Sequence, residues 1–235
     1  MKNSPSKIAL TVGFLLALSF TFSCTGGGSG DDGGSSSSGG GASKNNCTDA
    51  ASCKKKKIGN RTWMLENLNI DVGEGSTCYE GKSANCDKYG RLYTWAAAMD
   101  IDSKYNEQLW GESDVRHKGI CPTGWHIPSN DDWDDLVNYV EDENGCDDCA
   151  AKYLKSKSGW NSGGNGNDKY EFSALPGGYG GFGYFYGVGN VGGWWSATEY
   201  SSDIASYRTM GYSRENILWV SSSKYGLFSV RCVQD

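Results

Sequence analysis

The residues able to do chemistry in this chain are few, and most arrive without the neighbours that chemistry requires. Cys146-Asp-Asp-Cys149 has the spacing of half a zinc site or of a redox pair. No second CxxC and no histidine pair accompanies it, so a structural disulfide is the preferred reading. The chain has two histidines, His117 and His126. His126 lies between Trp125 and Ile127 and reads as a hydrogen-bonded core residue rather than a base. No Gly-x-Ser-x-Gly elbow is present to support a serine hydrolase. Gly187-Val-Gly-Asn-Val-Gly192 matches G-x-G-x-x-G in form but sits in a glycine-saturated stretch outside any βαβ pattern. Carboxylates abound, yet hydrolysis needs two at a set separation, and abundance is not placement. The expectation is a non-enzyme with no cofactor and no metal.

Binding has the better motive. Residues 161–195 interleave glycines with Tyr179, Phe182, Tyr184, Phe185, Tyr186, Trp194 and Trp195. Flat rings near Asn165, Asn167, Asp168 and Asn190 suit stacking on, and hydrogen bonding to, sugar rings. The candidate ligand residues are Tyr179, Tyr184, Tyr186, Asn190, Trp194 and Trp195. The bland alternative is that the rings fill a core poor in Leu and Ile, with glycines permitting tight turns. Trp194 and Trp195 divide between these readings, because strand neighbours face opposite sides. An exposed Trp194 makes Trp194→Ala a loss of binding without unfolding.

Several elements must hold these residues. Gly59-Asn60 reads as a turn followed by a half-buried extended run to Leu68. Tyr93–Met99 is Ala-rich and reads as helix. The clearest helix covers 131–140, with Ser129 as N-cap and Trp133, Leu136, Val137 and Val140 at i, i+3, i+4, i+7. Its Asp131, Asp132, Asp134 and Asp135 read as a solvated face favoured by the helix dipole. A shorter helix is expected over 150–157. Residues 161–195 are expected to be irregular loop, since each Gly costs about 1 kcal/mol in a helix. Short strands over 194–198, 206–210, 217–221 and 227–233 close the chain, the last alternating Phe228, Val230 and Cys232 on one face. This is an α+β pattern with short antiparallel strands and two or three helices.

Nine cysteines are present. Setting Cys24 aside leaves an even set with about a hundred possible pairings. Local spacing suggests Cys47–Cys53, Cys78–Cys86 and Cys146–Cys149, which leaves Cys121 with Cys232. Even cysteines suit an oxidising compartment, and the N-terminus agrees. Lys2 and Lys7 precede an apolar run from Ile8 to Phe22 that is too short for a confident membrane span. This reads as a signal segment over 1–23, with Cys24 as the lipidated residue of a lipoprotein; ordinary cleavage nearby is the alternative. Residues 24–45 then form a Gly/Ser tether, on the order of 25 Å root-mean-square in reach, before a domain over 46–235. The chain carries 22 basic and 28 acidic residues, and loss of the leader removes two of the basic ones. An acidic chain excludes nucleic acid as partner and leaves the lipid anchor as the only membrane contact. Lys54–Lys57 is the one basic run and reads as a solvated edge.

Six segments, in order, resemble one family. They are Ile58-Gly-Asn-Arg-Thr-Trp-Met-Leu-Glu-Asn-Leu68, Tyr89-Gly-Arg-Leu-Tyr-Thr-Trp-Ala-Ala-Ala-Met99, Cys121-Pro-Thr-Gly-Trp-His-Ile-Pro-Ser129, Phe172-Ser-Ala-Leu-Pro-Gly-Gly-Tyr179, Gly193-Trp-Trp-Ser-Ala-Thr-Glu199 and Phe228-Ser-Val-Arg-Cys-Val233. Together they resemble the Fibrobacter succinogenes major paralogous domain, a family of exported bacterial surface proteins. The resemblance implies a C-type-lectin-like fold of the formylglycine-generating-enzyme-like branch. There a Gly-Trp-x-x-Pro-Ser element leads into an acidic, Trp-bearing helix, and a terminal strand ends near an Arg, here Arg231. It implies no activity and no ligand residues. The calcium-dependent sugar motifs and the enzyme's cysteine pair are both missing from this sequence. The expected role is surface recognition or adhesion, with polysaccharide or an envelope protein as partner.

Overall fold

The computed structural model describes residues 44–111 and 116–235. The leader, Cys24 and most of the tether lie outside the described residues. The chain runs β1 (Lys55–Ile58), β2 (Arg61–Met64), β3 (Ser76–Thr77), α1 (Ser83–Tyr89), β4 (Leu92–Tyr93), α2 (Trp95–Met99) and β5 (Trp125–His126). It continues through α3 (Asn130–Asn144), α4 (Ala150–Leu154), β6 (Tyr179–Gly181), β7 (Tyr184–Tyr186), β8 (Val191–Glu199), β9 (Ile204–Gly211), β10 (Leu218–Ser223) and β11 (Val233–Gln234). The architecture is α+β, with several small antiparallel sheets and few helices. One sheet has the order β1-β2-β11-β5 and another β10-β9-β8, while β3-β4 and β6-β7 are two-stranded.

The β1–β2 hairpin turns at Gly59-Asn60, with Gly59 at φ +63°. The central helix is longer than its apolar repeat suggests. Ser129 caps it, accepting from the Asp132 amide while the Asp132 carboxylate accepts from the Ser129 amide, and Gly145 ends it in the left-handed region. Residues 92–93 pair as a strand rather than joining α2, because Thr94 starts that helix by accepting from the Ala97 amide. The 150–157 helix stops at Leu154. The 161–195 region is not all loop: its glycines permit a two-stranded hairpin, β6–β7, and it contains the start of β8. Residues 227–229 form isolated bridges and 230–232 irregular backbone rather than a continuous strand, and both faces of this segment are buried.

Four disulfides join Cys47–Cys53, Cys78–Cys86, Cys121–Cys232 and Cys146–Cys149. Such a set belongs to an oxidising, extracytoplasmic setting. Among the described residues no helix is long and apolar enough to cross a membrane.

The core centres on a cation. Arg231 is fully buried, and its Nε and Nη2 donate to Asn67 Oδ1 at 3.2 and 2.8 Å while Nη1 donates to the Phe172 carbonyl. The same Asn67 oxygen accepts from Trp194 Nε1 at 2.8 Å, and Asn67 Nδ2 donates to the Tyr89 carbonyl at 2.8 Å. The Phe172 ring lies 4.2 Å from the guanidinium. Burial pulls the Arg231 pKa down to about 9, against the raising pull of Asp168 and Glu66. A variant Asn67→Leu strands a buried charge and an indole N–H together. It is expected to lower stability by about 3 kcal/mol or more and the melting temperature by about 10 °C, measured by thermal denaturation.

Candidate functional site

The candidate ligand residues separate into two populations. Trp194 and Trp195 are both wholly buried, so neither is available for stacking. Alternation does place them on opposite faces of β8, but both faces are covered. Trp194 packs against Trp133 of α3 at 6.4 Å and bonds Asn67. Trp195 packs edge-on to Phe228 at 4.7 Å and donates its indole N–H to the Tyr93 carbonyl at 2.7 Å. Truncating Trp194 therefore removes core, at about 3–5 kcal/mol, rather than a ligand contact. Asn165 and Asn167 are exposed and Asp168 is half-buried, but all three side chains are engaged by their own loop. Their side chains accept from the Trp160, Lys169 and Ser173 amides, stapling their own loop.

The exposed population is the β6–β7 hairpin. Tyr179 pairs with Tyr186, Gly180 with Phe185 and Gly181 with Tyr184. Strand alternation puts Tyr179, Tyr184 and Tyr186 on one face and Phe185 on the other, where it meets Tyr79 at 5.2 Å. Tyr184 is 67 % and Tyr186 47 % exposed. Because Gly181 stands opposite Tyr184, no cross-strand side chain covers that ring. The Tyr225-Gly226 turn flanks it, as Gly180 and Leu227 exchange backbone hydrogen bonds at 2.9 and 2.8 Å. Tyr179 ties the platform to the interior: its ring is 5.6 Å from Tyr186 and stacks on Phe228 at 5.8 Å, and Phe228 stacks on Tyr207 at 4.2 Å. Burial raises the Tyr179 phenol and pushes that of Tyr207 up to about 12, so both stay neutral. Asn190 lies in the β7–β8 turn, where its Oδ1 accepts from Asn161 Nδ2 at 3.1 Å.

The hairpin tip adds a residue outside the candidate set. Phe182 and Gly183 form the two-residue turn with φ +52° and +84°, and Phe182 is 71 % exposed. Primed turns favour Asn-Gly, and a bulky residue in the left-handed region is strained. The exposed Phe182 ring is thus held at a cost in backbone strain. The strain follows from turn geometry, which becomes visible once the Tyr179–Tyr186 register is known.

Other groups with chemical potential are committed elsewhere. Gly187–Gly192 leads into a strand, not a helix. His117 Nε2 lies 2.6 Å from the Met99 carbonyl. His126 is buried between Asp235 at 2.7 Å and Asp132 at 3.3 Å. The aspartates of α3 are not simply a solvated face. Asp132 is buried and pairs with Arg61 at 2.8 Å, and Asp134 pairs with Arg208 at 2.9 Å. Burial acts to raise the Asp132 pKa, but bonds from His126 and Ser129 and the charge of Arg61 outweigh it and bring it to about 2. The basic run is not merely an edge: Lys54 pairs with Glu66 at 3.1 Å and Lys56 with Glu171 at 2.8 Å. Buried Lys224 pairs with Glu199, which also accepts from the Trp110 and Gly111 amides at 2.8 and 3.0 Å. Among the described residues no three His, Cys, Asp or Glu side chains are placed to hold a metal ion.

The fold and this surface define a disulfide-stapled, extracytoplasmic α+β domain that displays an aromatic hairpin. Residues 57–234 match the Fibrobacter succinogenes major domain, and the chain belongs to that family. No curated protein and no solved structure matches the chain.

Two outcomes are expected. Phe182→Asn relieves the turn and raises stability by about 1 kcal/mol, read from the urea midpoint. Asp132 has a folded pKa below its unfolded value, so its stabilisation is complete above about pH 4 and is lost as pH falls towards 2. That contribution is about 2 kcal/mol, and Asp132→Asn should flatten the acid limb of stability against pH.

Proposed function

We propose that this protein is a cell-surface lipoprotein whose domain recognises extracellular polysaccharide through the β6–β7 hairpin. The observation that carries the reading is the set of exposed rings of Phe182, Tyr184 and Tyr186 on a hairpin braced through Tyr179 and Phe228. Rings that face water on a rigid support gain by covering the C–H face of a sugar, and little ordering entropy opposes the contact. Export and anchoring at Cys24, with the Gly/Ser tether, place the hairpin where such polymers are met. We assign the domain to the C-type-lectin-like fold. The passage from Gly124 to Ser129 into α3, and the closing of β11 beside Arg231 against β2 and β5, support that assignment. No catalytic residue and no cofactor enters this reading.

A second reading is a structural or interaction module of the envelope, binding another surface protein. It is favoured by the additional exposure of Leu109, Tyr200 and Tyr225, since apolar surface also serves protein contacts.

The deciding experiment is affinity electrophoresis of residues 44–235, disulfides intact, in gels containing soluble cellulose, xylan, mannan or pectin derivatives. Retardation by one polymer is expected, abolished in Tyr184→Ala and weakened in Phe182→Asn. Both variants should stay folded, because exposed positions shift stability by about 1 kcal/mol or less. Migration unchanged in every gel would transfer the hairpin to a protein partner.

A further inference from the structure

A groove of about 250 Å³ lies between the β1–β2 turn and α3, away from the groups that shape the hairpin. The helix presents two stripes. Trp133, Leu136 and Val140 are buried, whereas Asp135, Asn138, Tyr139 and Asp142 recur at i, i+3, i+4 and i+7 and line the groove. Trp63 and Leu136 supply its apolar wall. Tyr139 is held in place from two sides. A Cβ on Gly59 would come within 2.9 Å of its Cγ, and Tyr170 packs edge-on at 6.0 Å. The gap between turn and helix is thus set by a glycine at positive φ, and a larger residue there would displace the ring.

Several polar groups around this wall keep hydrogen-bonding capacity that no protein group takes up. Arg61 Nη2 is taken by Asp132 at 2.8 Å, but Nε is buried without a hydrogen-bond acceptor, with Asp135 no nearer than 3.6 Å. Among the described residues the side chains of Asn60 and Asn138 make no hydrogen bond, and the exposed Asp142 carboxylate has no ion-pair partner. The partly exposed Arg61 guanidinium, two carboxamides that both donate and accept, and the carboxylates of Asp135 and Asp142 therefore border a small apolar wall. Hydroxyl groups on a compact ring meet all of them, because each hydroxyl donates and accepts.

We propose that this groove binds a single neutral or amino hexopyranose unit, with Arg61, Asn60, Asn138 and Asp142 reading hydroxyls and Tyr139 flanking the ring. The volume lies below the roughly 300–1,000 Å³ of pockets for drug-sized ligands, so it holds one sugar rather than a chain. Asp135 and Asp142 repel a sugar acid. The site is separate from the hairpin and stands or falls without it.

The test is saturation-transfer NMR on the full chain with its disulfides intact, using methyl β-D-glucopyranoside, methyl α-D-mannopyranoside, D-glucosamine and D-galacturonate. Transfer is expected to at least one neutral or amino sugar and not to galacturonate. The combined variant Asn138→Ala, Asp142→Ala changes only exposed helix positions, and it should weaken binding at least tenfold. Tyr184→Ala should leave binding unchanged. The proposal is overturned by no transfer to any of the first three sugars, by equal transfer to galacturonate, by unchanged binding in the groove variant, or by loss in Tyr184→Ala. Retardation in polymer gels reports on the hairpin alone, so the two sites can fail separately.

Discussion

A cation without a carboxylate lies at the centre of this molecule. Arg231 is buried, and its partners are neutral oxygens, Asn67 Oδ1 and the Phe172 carbonyl, with the Phe172 ring beneath. Because a buried unpaired charge is very costly, the chain must deliver those oxygens together. Asn67 arrives from the end of the first hairpin, Phe172 from the loop after α4, Trp194 from β8 and Arg231 from the segment before β11. Four distant pieces meet around one guanidinium and one carboxamide, whose oxygen takes three donors. The small sheets share few ladder bonds with one another, so this polar knot does much of the joining that a continuous sheet performs in other α+β domains.

The knot explains why two adjacent tryptophans are both lost to the surface. Trp194 is one of its members, and Trp195 is sealed on the other face by Phe228, Tyr207 and Trp95's neighbourhood. What reaches solvent is the far end of the same aromatic series, beyond Tyr179. Rigidity at the hairpin is therefore borrowed from the core, while strain is confined to its tip at Phe182. The Glu199–Lys224 pair works similarly at the other margin, holding the chain at Trp110 and Gly111 with a charge that water does not reach.

Much of the frame was legible in residues alone. The Ser129 cap and the Trp133, Leu136, Val140 repeat carry their own geometry, and the cysteine spacings single out neighbours. The six collinear segments pointed to the family that residues 57–234 match. The site was harder to read. Alternation predicts which side of β8 a tryptophan takes, but not that both sides are covered. The α3 aspartates looked solvated because Arg61 and Arg208 come from strands remote in sequence. Glycine content argued against helix in 161–195 and was silent on the hairpin, whose register depends on Gly180 and Gly181 facing Phe185 and Tyr184. Local periodicity describes an element; it does not describe what a distant element lays over it.

The bond between Cys121 and Cys232 joins residues 111 apart. It closes α3, α4, the aromatic hairpin and the three-stranded sheet into one covalent ring. A peptide bond cut at any exposed loop within that ring opens the chain but releases no piece, and the packed fragments stay at the high effective concentration of an intramolecular pair. For an extracytoplasmic molecule, this converts a severing event into a repairless but survivable nick. Durability in the open is then a property of the topology, separate from how favourable folding is.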